Sequence, residues 1–238
     1  MKKKLLIIML LTAFALILMT ACGGSAEPAA EGDGSGENDV NETTAAAAPA
    51  EVQLLDYGYS VSEDNFMTCG YVIQNPSEDT AYEFPVVNVT AYDENGDVLA
   101  TEEQTMNKIQ PGETQAFTSL VDCNGTSPDK VEIDIDTGEA ISPSADAIKS
   151  SDLEISGTNE RTDDLDDTSI TGKIKNNASK DTDSAAVTVL FKKEGKIVYG
   201  ATSFVDNLGA GKEKAFEVTE YNVPEHDSFE VSALDWGF

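Results

Sequence analysis

The chain has 238 residues, with 44 Asp and Glu against 15 Lys and Arg, for a formal net charge of −29. Acidity this strong repels phosphate backbones and anionic membrane surfaces. It argues against nucleic acid as a partner and favours cations, basic proteins or neutral glycans. The length accommodates two domains of about 100 residues each.

Residues 1–21 have the pattern of a lipoprotein signal peptide. Lys2 to Lys4 supply the positive start, and Leu5 to Met19 form an apolar run broken only by Thr12. That run is shorter than the roughly 20 residues a membrane-spanning helix needs. Leu18-Met19-Thr20-Ala21-Cys22 resembles the bacterial lipobox. The resemblance implies that Cys22 is lipidated, becomes the new N-terminus and holds the protein on the extracytoplasmic face of the cell membrane. Diacyl chains there anchor more firmly than one acyl chain.

Residues 22–50 hold that cysteine and an acidic linker. From Ser25 to Ala50 there are six acids, no lysine, no aromatic residue and only Val40 as a branched apolar side chain. Such a segment cannot bury enough surface to offset its ordering entropy, so disorder is expected. A flexible chain of this length spans roughly 30 Å, a spacer between membrane and folded part.

A first β-sandwich is predicted over 51–137. Its strands are Val52 to Tyr59, Phe66 to Gln74, a long third strand Phe84 to Asp93, Val98 to Met106, Thr114 to Asp122 and Lys130 to Ile135. Turn signals separate them: Asn75-Pro76, Asn95-Gly96 and Pro111-Gly112. Residues 138–150 read as a connector. A second sandwich is predicted over 151–238, with strands Asp152 to Gly157, Ser169 to Lys175, Ser184 to Lys192, Lys196 to Phe204, Lys212 to Thr219 and Ser228 to Leu234. Neither half shows sustained helical periodicity. The expected fold class is all-β: two tandem immunoglobulin-like sandwiches.

The two halves are copies. Tyr92/Phe191, Gly96/Gly195, Ile109/Leu208, Gly112/Gly211 and Phe117/Phe216 share an offset of 99 residues. Upstream, Gly70/Gly172 and Asn75/Asn177 share 102, which predicts one loop three residues shorter in the second copy. The third strand leaves its orientation open. In the second copy Val187, Val189 and Phe191 lie on one face and Ala186 and Leu190 on the other, whereas the first copy places Val87, Val89 and Ala91 on its apolar side. Either parity, or cover on both faces, fits.

Val89-Thr90-Ala91-Tyr92-Asp93, followed by Glu94-Asn95-Gly96-Asp97-Val98, Pro111-Gly112-Glu113 and Ala116-Phe117, resembles the FxLYD-type domain of bacterial envelope lipoproteins. Thr188-Val189-Leu190-Phe191-Lys192 stands at the same place in the second copy. The resemblance spans most of both copies. It implies an immunoglobulin-like sandwich in a Gram-positive-type lipoprotein and brings no catalytic residues.

Several side chains are candidates for chemistry. Cys69 and Cys123 are the only cysteines outside the lipobox, and an exported protein sits where disulfides form, so a bridge is expected. Asp163, Asp164, Asp166 and Asp167 cluster oxygen ligands of the kind Ca²⁺ takes, although a solvated acidic loop is the simpler expectation. Asp93-x-Asn95-x-Asp97 lacks the glycine and glutamate of a calcium loop and reads as a hairpin turn. Tyr57 and Tyr59, at alternate positions of the opening strand, and Trp236 near the end could stack on a sugar or a partner, or simply pack at the sandwich ends. His226 is the only histidine, and no nucleophile elbow, phosphate-cradling loop or His/Cys metal spacing is present. A non-enzyme without cofactor is expected: a lipid-anchored binding module for an envelope protein or glycan. The alternatives are a structural spacer and a solute-capture lipoprotein.

Overall fold

The computed structural model describes residues 50–63, 65–163 and 167–237. Residues 1–49, which hold the expected signal peptide, Cys22 and all but the last residue of the expected acidic linker, lie outside these residues. The described chain is all-β, and its one helical piece is a 3-10 turn over Ser150–Asp152.

The first half contains β1 (Gln53–Val61), β2 (Phe66–Gln74), β3 (Ala81–Glu83), β4 (Val86–Tyr92), β5 (Val98–Thr105), β6 (Lys108–Ile109), β7 (Thr114–Asp122), β8 (Lys130–Asp136) and β9 (Glu139–Ile141). Sheet β1-β2-β7 provides one face of its core. Sheet β5-β4-β8, with the small sheet β6-β3-β9, provides the other. Met67, Cys69, Tyr71 and Ile73 alternate inward from β2 to meet Val87, Val89 and Ala91 of β4, all fully buried.

The second half repeats the plan with β10 (Leu153–Thr162), β11 (Asp167–Asn176), β12 (Thr182–Lys193), β13 (Lys196–Leu208), β14 (Glu213–Tyr221) and β15 (Ser228–Asp235). Sheet β10-β11-β14 encloses a second core with sheet β13-β12-β15.

The predicted third strand, Phe84 to Asp93, is β4, which starts at Val86, and a short strand, β3, precedes it. Phe84 takes a φ of 55° and Pro85 has no amide hydrogen to give the ladder, so pairing stops between β3 and β4. The break runs straight across the sheet. The first-half strands are interrupted at 84–85, 106–107 and 137–138, positions that lie side by side by register. Gly138 sits there at φ 79°, where an added Cβ would come 2.4 Å from the Glu83 carbonyl oxygen. The counterpart strands β12 and β13 run unbroken through the matching positions, and β15 ends there at Asp235. The predicted connector is also shorter than expected, because β9 belongs to the first sandwich.

The duplication is correct in outline, but three of the sequence matches are out of register. Asn75 corresponds to Asn176, not Asn177. Each donates its side-chain amide to two carbonyls, those of Thr80 and Ile109 in one copy and those of Lys180 and Leu208 in the other. Across the hairpin, Tyr92 opposes Val98 while Lys192 opposes Ile197, so Tyr92 corresponds to Lys192 and Phe191 to Ala91. Two second-copy loops are therefore each one residue shorter. Gly70 likewise does not match Gly172: Tyr71 opposes Phe117, and Gly172 opposes Phe216.

Candidate functional site

Register also settles the third strand. In β12, Val187, Val189 and Phe191 face their own core. Ala186 and Leu190, on the opposite face, are just as buried, because that face packs on the first sandwich. The outer face of sheet β1-β2-β7 meets the outer face of sheet β13-β12-β15, so the two sandwiches stack into one body.

Small residues permit this contact. A Cβ on Gly58 would lie 1.8 Å from the Ile197 carbonyl oxygen, and one on Gly200 would lie 3.0 Å from the Gly70 Cα. Gly58, Gly70 and Thr118 form a transverse row across three strands, and β13 passes over that row with Ile197, Gly200 and Thr202. β13 thus crosses the underlying strands steeply. Ala116, Leu190 and Ile197 form a small apolar cluster in the seam. Beside it, Thr202 shares hydroxyl hydrogen bonds with Thr118 (3.0 Å) and Thr188 (2.9 Å).

At one end of the seam the C-terminal segment reaches into the first sandwich. Trp236 stacks on Phe117 with ring centroids 4.6 Å apart and planes 2° from parallel. The Asn107 side-chain amide donates to the Gly237 carbonyl. Asn107 lies on the transverse break described above, so the bend and the docked tail meet at the same place.

At the other end, Tyr199 donates its hydroxyl to Glu220 at 3.1 Å. Burial raises the Glu220 carboxyl above its ordinary value and pushes the Tyr199 phenol up to about 12. A carboxyl whose folded pKa is raised gives a stabilisation that is complete below its unfolded pKa and lost as pH rises through the folded one. Glu220→Gln is therefore expected to raise the melting temperature by about 1–2 °C at pH 7 and to change little at pH 4, because the screened, partly exposed carboxyl is worth only a fraction of a kcal/mol. Equal effects at both pH values would contradict this assignment.

Between the stacked sheets' tail end and the connector lies a cleft of about 230 Å³. Asn107, Lys108 and Gln115 of the first sandwich line one wall, and Lys180, Asp181 and Asp235 of the second line the other. Connector residues Ser144, Asp146, Ala147 and Ile148 complete the lining, with the Ser144 amide held by the Gln110 side chain at 3.3 Å. Gln115 is 4% exposed and donates Nε2 to the Lys108 carbonyl at 2.7 Å. Its buried Oε1 has no hydrogen-bond partner among the described residues.

The residues singled out in the sequence do not converge on this cleft. Tyr59 packs against the first core, Tyr57 on the same strand is exposed with its hydroxyl on the Val131 carbonyl at 3.3 Å, and Trp236 lies in the seam. They form no shared platform. Asp163 and Asp167 close a hairpin: the Asp163 amide donates to the Asp167 carbonyl, and the Asp167 amide donates to the Asp163 carboxylate. Asp164 and Asp166 lie outside the described residues, and no group of three or more metal-ligating side chains occurs among the described ones. Asp93 accepts the amides of Asn95 and Asp97, which confirms 93–97 as a turn.

The expected Cys69–Cys123 bridge is a correction. Both are buried free thiols. Cys69 opposes Ser119, while Cys123 takes its backbone partner at Asn65, beyond the Phe66–Asp122 pair. Three residues of extended strand already separate Cys69 from Phe66 by about 10 Å, whereas a disulfide needs Cα atoms within about 7 Å. Burial instead raises the Cys69 thiol to about 12 and also raises that of Cys123. Both belong to the first core.

The cleft residues were not apparent in the sequence, because Gln115 of β7 and Asp181 of the loop before β12 are unrelated until the two sandwiches stack. Asn107 carried a weak signal as a polar residue ending an otherwise regular strand. No protein-family model matches the chain, and a search of curated proteins finds no match.

Proposed function

We propose that the protein is a lipid-anchored, extracytoplasmic, non-enzymatic binding module of the cell envelope, of the FxLYD-type lipoprotein kind that its strand and turn pattern resembles. The observation that carries this reading is the stacking of the two sandwiches through a glycine-lined seam. It turns a tandem repeat into one broad body, suited to presenting a surface rather than bending as a flexible string. Phe66 and Leu120 stand 41% and 60% exposed on the outer face of that first sheet, beside the seam, where an envelope protein or wall glycan can dock. The spacer between Cys22 and residue 50 would hold this surface off the membrane.

Replacing Cys22 tests the anchor. Cys22→Ala is expected to move most of the protein out of the lipid-modified fraction and to abolish fatty-acid labelling. A variant that still incorporates labelled fatty acid would contradict the anchor. The cleft at the junction favours a second reading, capture of a small solute.

A further inference from the structure

We infer that the junction cleft binds a small primary amine, with an aliphatic mono- or diamine as the ligand class. The inference rests on the solute-capture reading above and is independent of what docks on the exposed sheet face. Three features identify the ligand. The first is the Gln115 side chain. Its Nε2 is committed to the Lys108 carbonyl, so the amide cannot turn over without setting oxygen against oxygen, and its Oε1 stays an acceptor. That oxygen is buried and unpartnered among the described residues, which leaves a desolvated acceptor in a cleft wall awaiting a donor.

The second feature is charge. Lys108 is engaged by Glu83 at 2.9 Å, and Lys180 faces Asp146 at 3.6 Å. Among the described residues Asp181 and Asp235 have no ion-pair partner: they accept the Ala210 amide and the Thr182 hydroxyl respectively. The cleft therefore presents carboxylates and an amide oxygen on a chain of net charge −29, a field that concentrates cations. The third feature is geometry and size. Ca²⁺ takes six to eight oxygens, and no described cluster supplies a metal-ligating set. An ammonium group needs only three acceptors, and Gln115, Asp181 and Asp235 line this one cleft. A volume of about 230 Å³ accepts a short aliphatic chain and is below the usual range for larger ligands.

The test is isothermal titration of the full chain in detergent with 1,4-diaminobutane, and with tetramethylammonium as a cation that has no N–H donor. The expected result is saturable one-to-one binding of the diamine, none of tetramethylammonium, and at least ten-fold weaker binding in Gln115→Met and in Asp181→Asn. Circular dichroism checks folding, and if Gln115→Met fails to fold, Asp181→Asn decides. The inference is overturned by absence of saturable diamine binding, by equal binding of tetramethylammonium, or by wild-type affinity in folded Asp181→Asn. Those outcomes would leave an ordered water in the cleft and would not touch the lipid anchor, which is read separately by labelling of Cys22.

Discussion

Gly58→Ala is expected to lower the melting temperature by about 6–12 °C and to shift the emission of Trp236, the only tryptophan, to the red. The added methyl carbon would stand 1.8 Å from the backbone oxygen of Ile197. No side chain can be trimmed or rotated to relieve that contact, so one sheet must move off the other. Overpacking costs about 1–3 kcal/mol, a clash with backbone belongs at the upper end, about 3 kcal/mol, and a chain of this size loses about 2–4 °C per kcal/mol. Gly96→Ala is the contrasting control. It sits at φ 84° in open space, so its cost is local backbone strain and the tryptophan emission should not change. Equal spectral changes in both variants would mean that Trp236 does not report on the seam.

Asn176→Ala should destabilise the protein by about 3–5 kcal/mol, and Asn75→Ala by a similar amount. Each asparagine is fully buried at the end of its second strand. Asn176 donates to the carbonyls of Lys180 (2.8 Å) and Leu208 (3.1 Å) and accepts the Ala178 amide (2.9 Å). Asn75 does the same with Thr80, Ile109 and Ser77. Truncation orphans two acceptors and a donor, each worth about 1–3 kcal/mol when buried, with entering water recovering part of the loss. Asn176→Asp discriminates hydrogen bonding from packing. It keeps the volume but removes both N–H donors, so it should be as damaging as alanine in a neutral-pH chemical denaturation. A mild Asn176→Asp would assign the residue to packing alone.

These two predictions mark the boundary between what the chain reveals in one dimension and what it does not. The strands were legible because Val, Ile, Thr and Tyr alternate between strong turn signals: β2 and β7 fall at the expected residues, Phe66–Gln74 and Thr114–Asp122. The duplication was legible from its glycines. Register was not, because sequence identity favours Tyr92 over Phe191 as an aromatic pair, whereas the ladder counts residues across a hairpin one residue shorter in the second copy. The same limit explains the cysteines. Their number and the expected extracytoplasmic setting suggest a bridge, but four positions of strand offset forbid it. Pro85 was the visible sign of the stop between β3 and β4, and only the parallel breaks at 106–107 and 137–138 show that the whole sheet bends. The seam was hidden most deeply. Leu190 and Ala186 on the second face of β12 were its one trace, since a strand apolar on both faces needs cover on both.

The stacking of the two sandwiches is the claim on which the cleft and the binding surface both depend, and an engineered cross-link tests it most directly. Thr118 and Thr202 come from different sandwiches, 84 residues apart in sequence, with their hydroxyl oxygens 3.0 Å apart. The double substitution Thr118→Cys/Thr202→Cys should close a disulfide under mild oxidation in nearly all molecules. Unreduced electrophoresis would show the linked chain as a faster band that reductant abolishes. A chain that stays unlinked, or links only between molecules, would mean that the two sandwiches do not hold this face-to-face arrangement in solution.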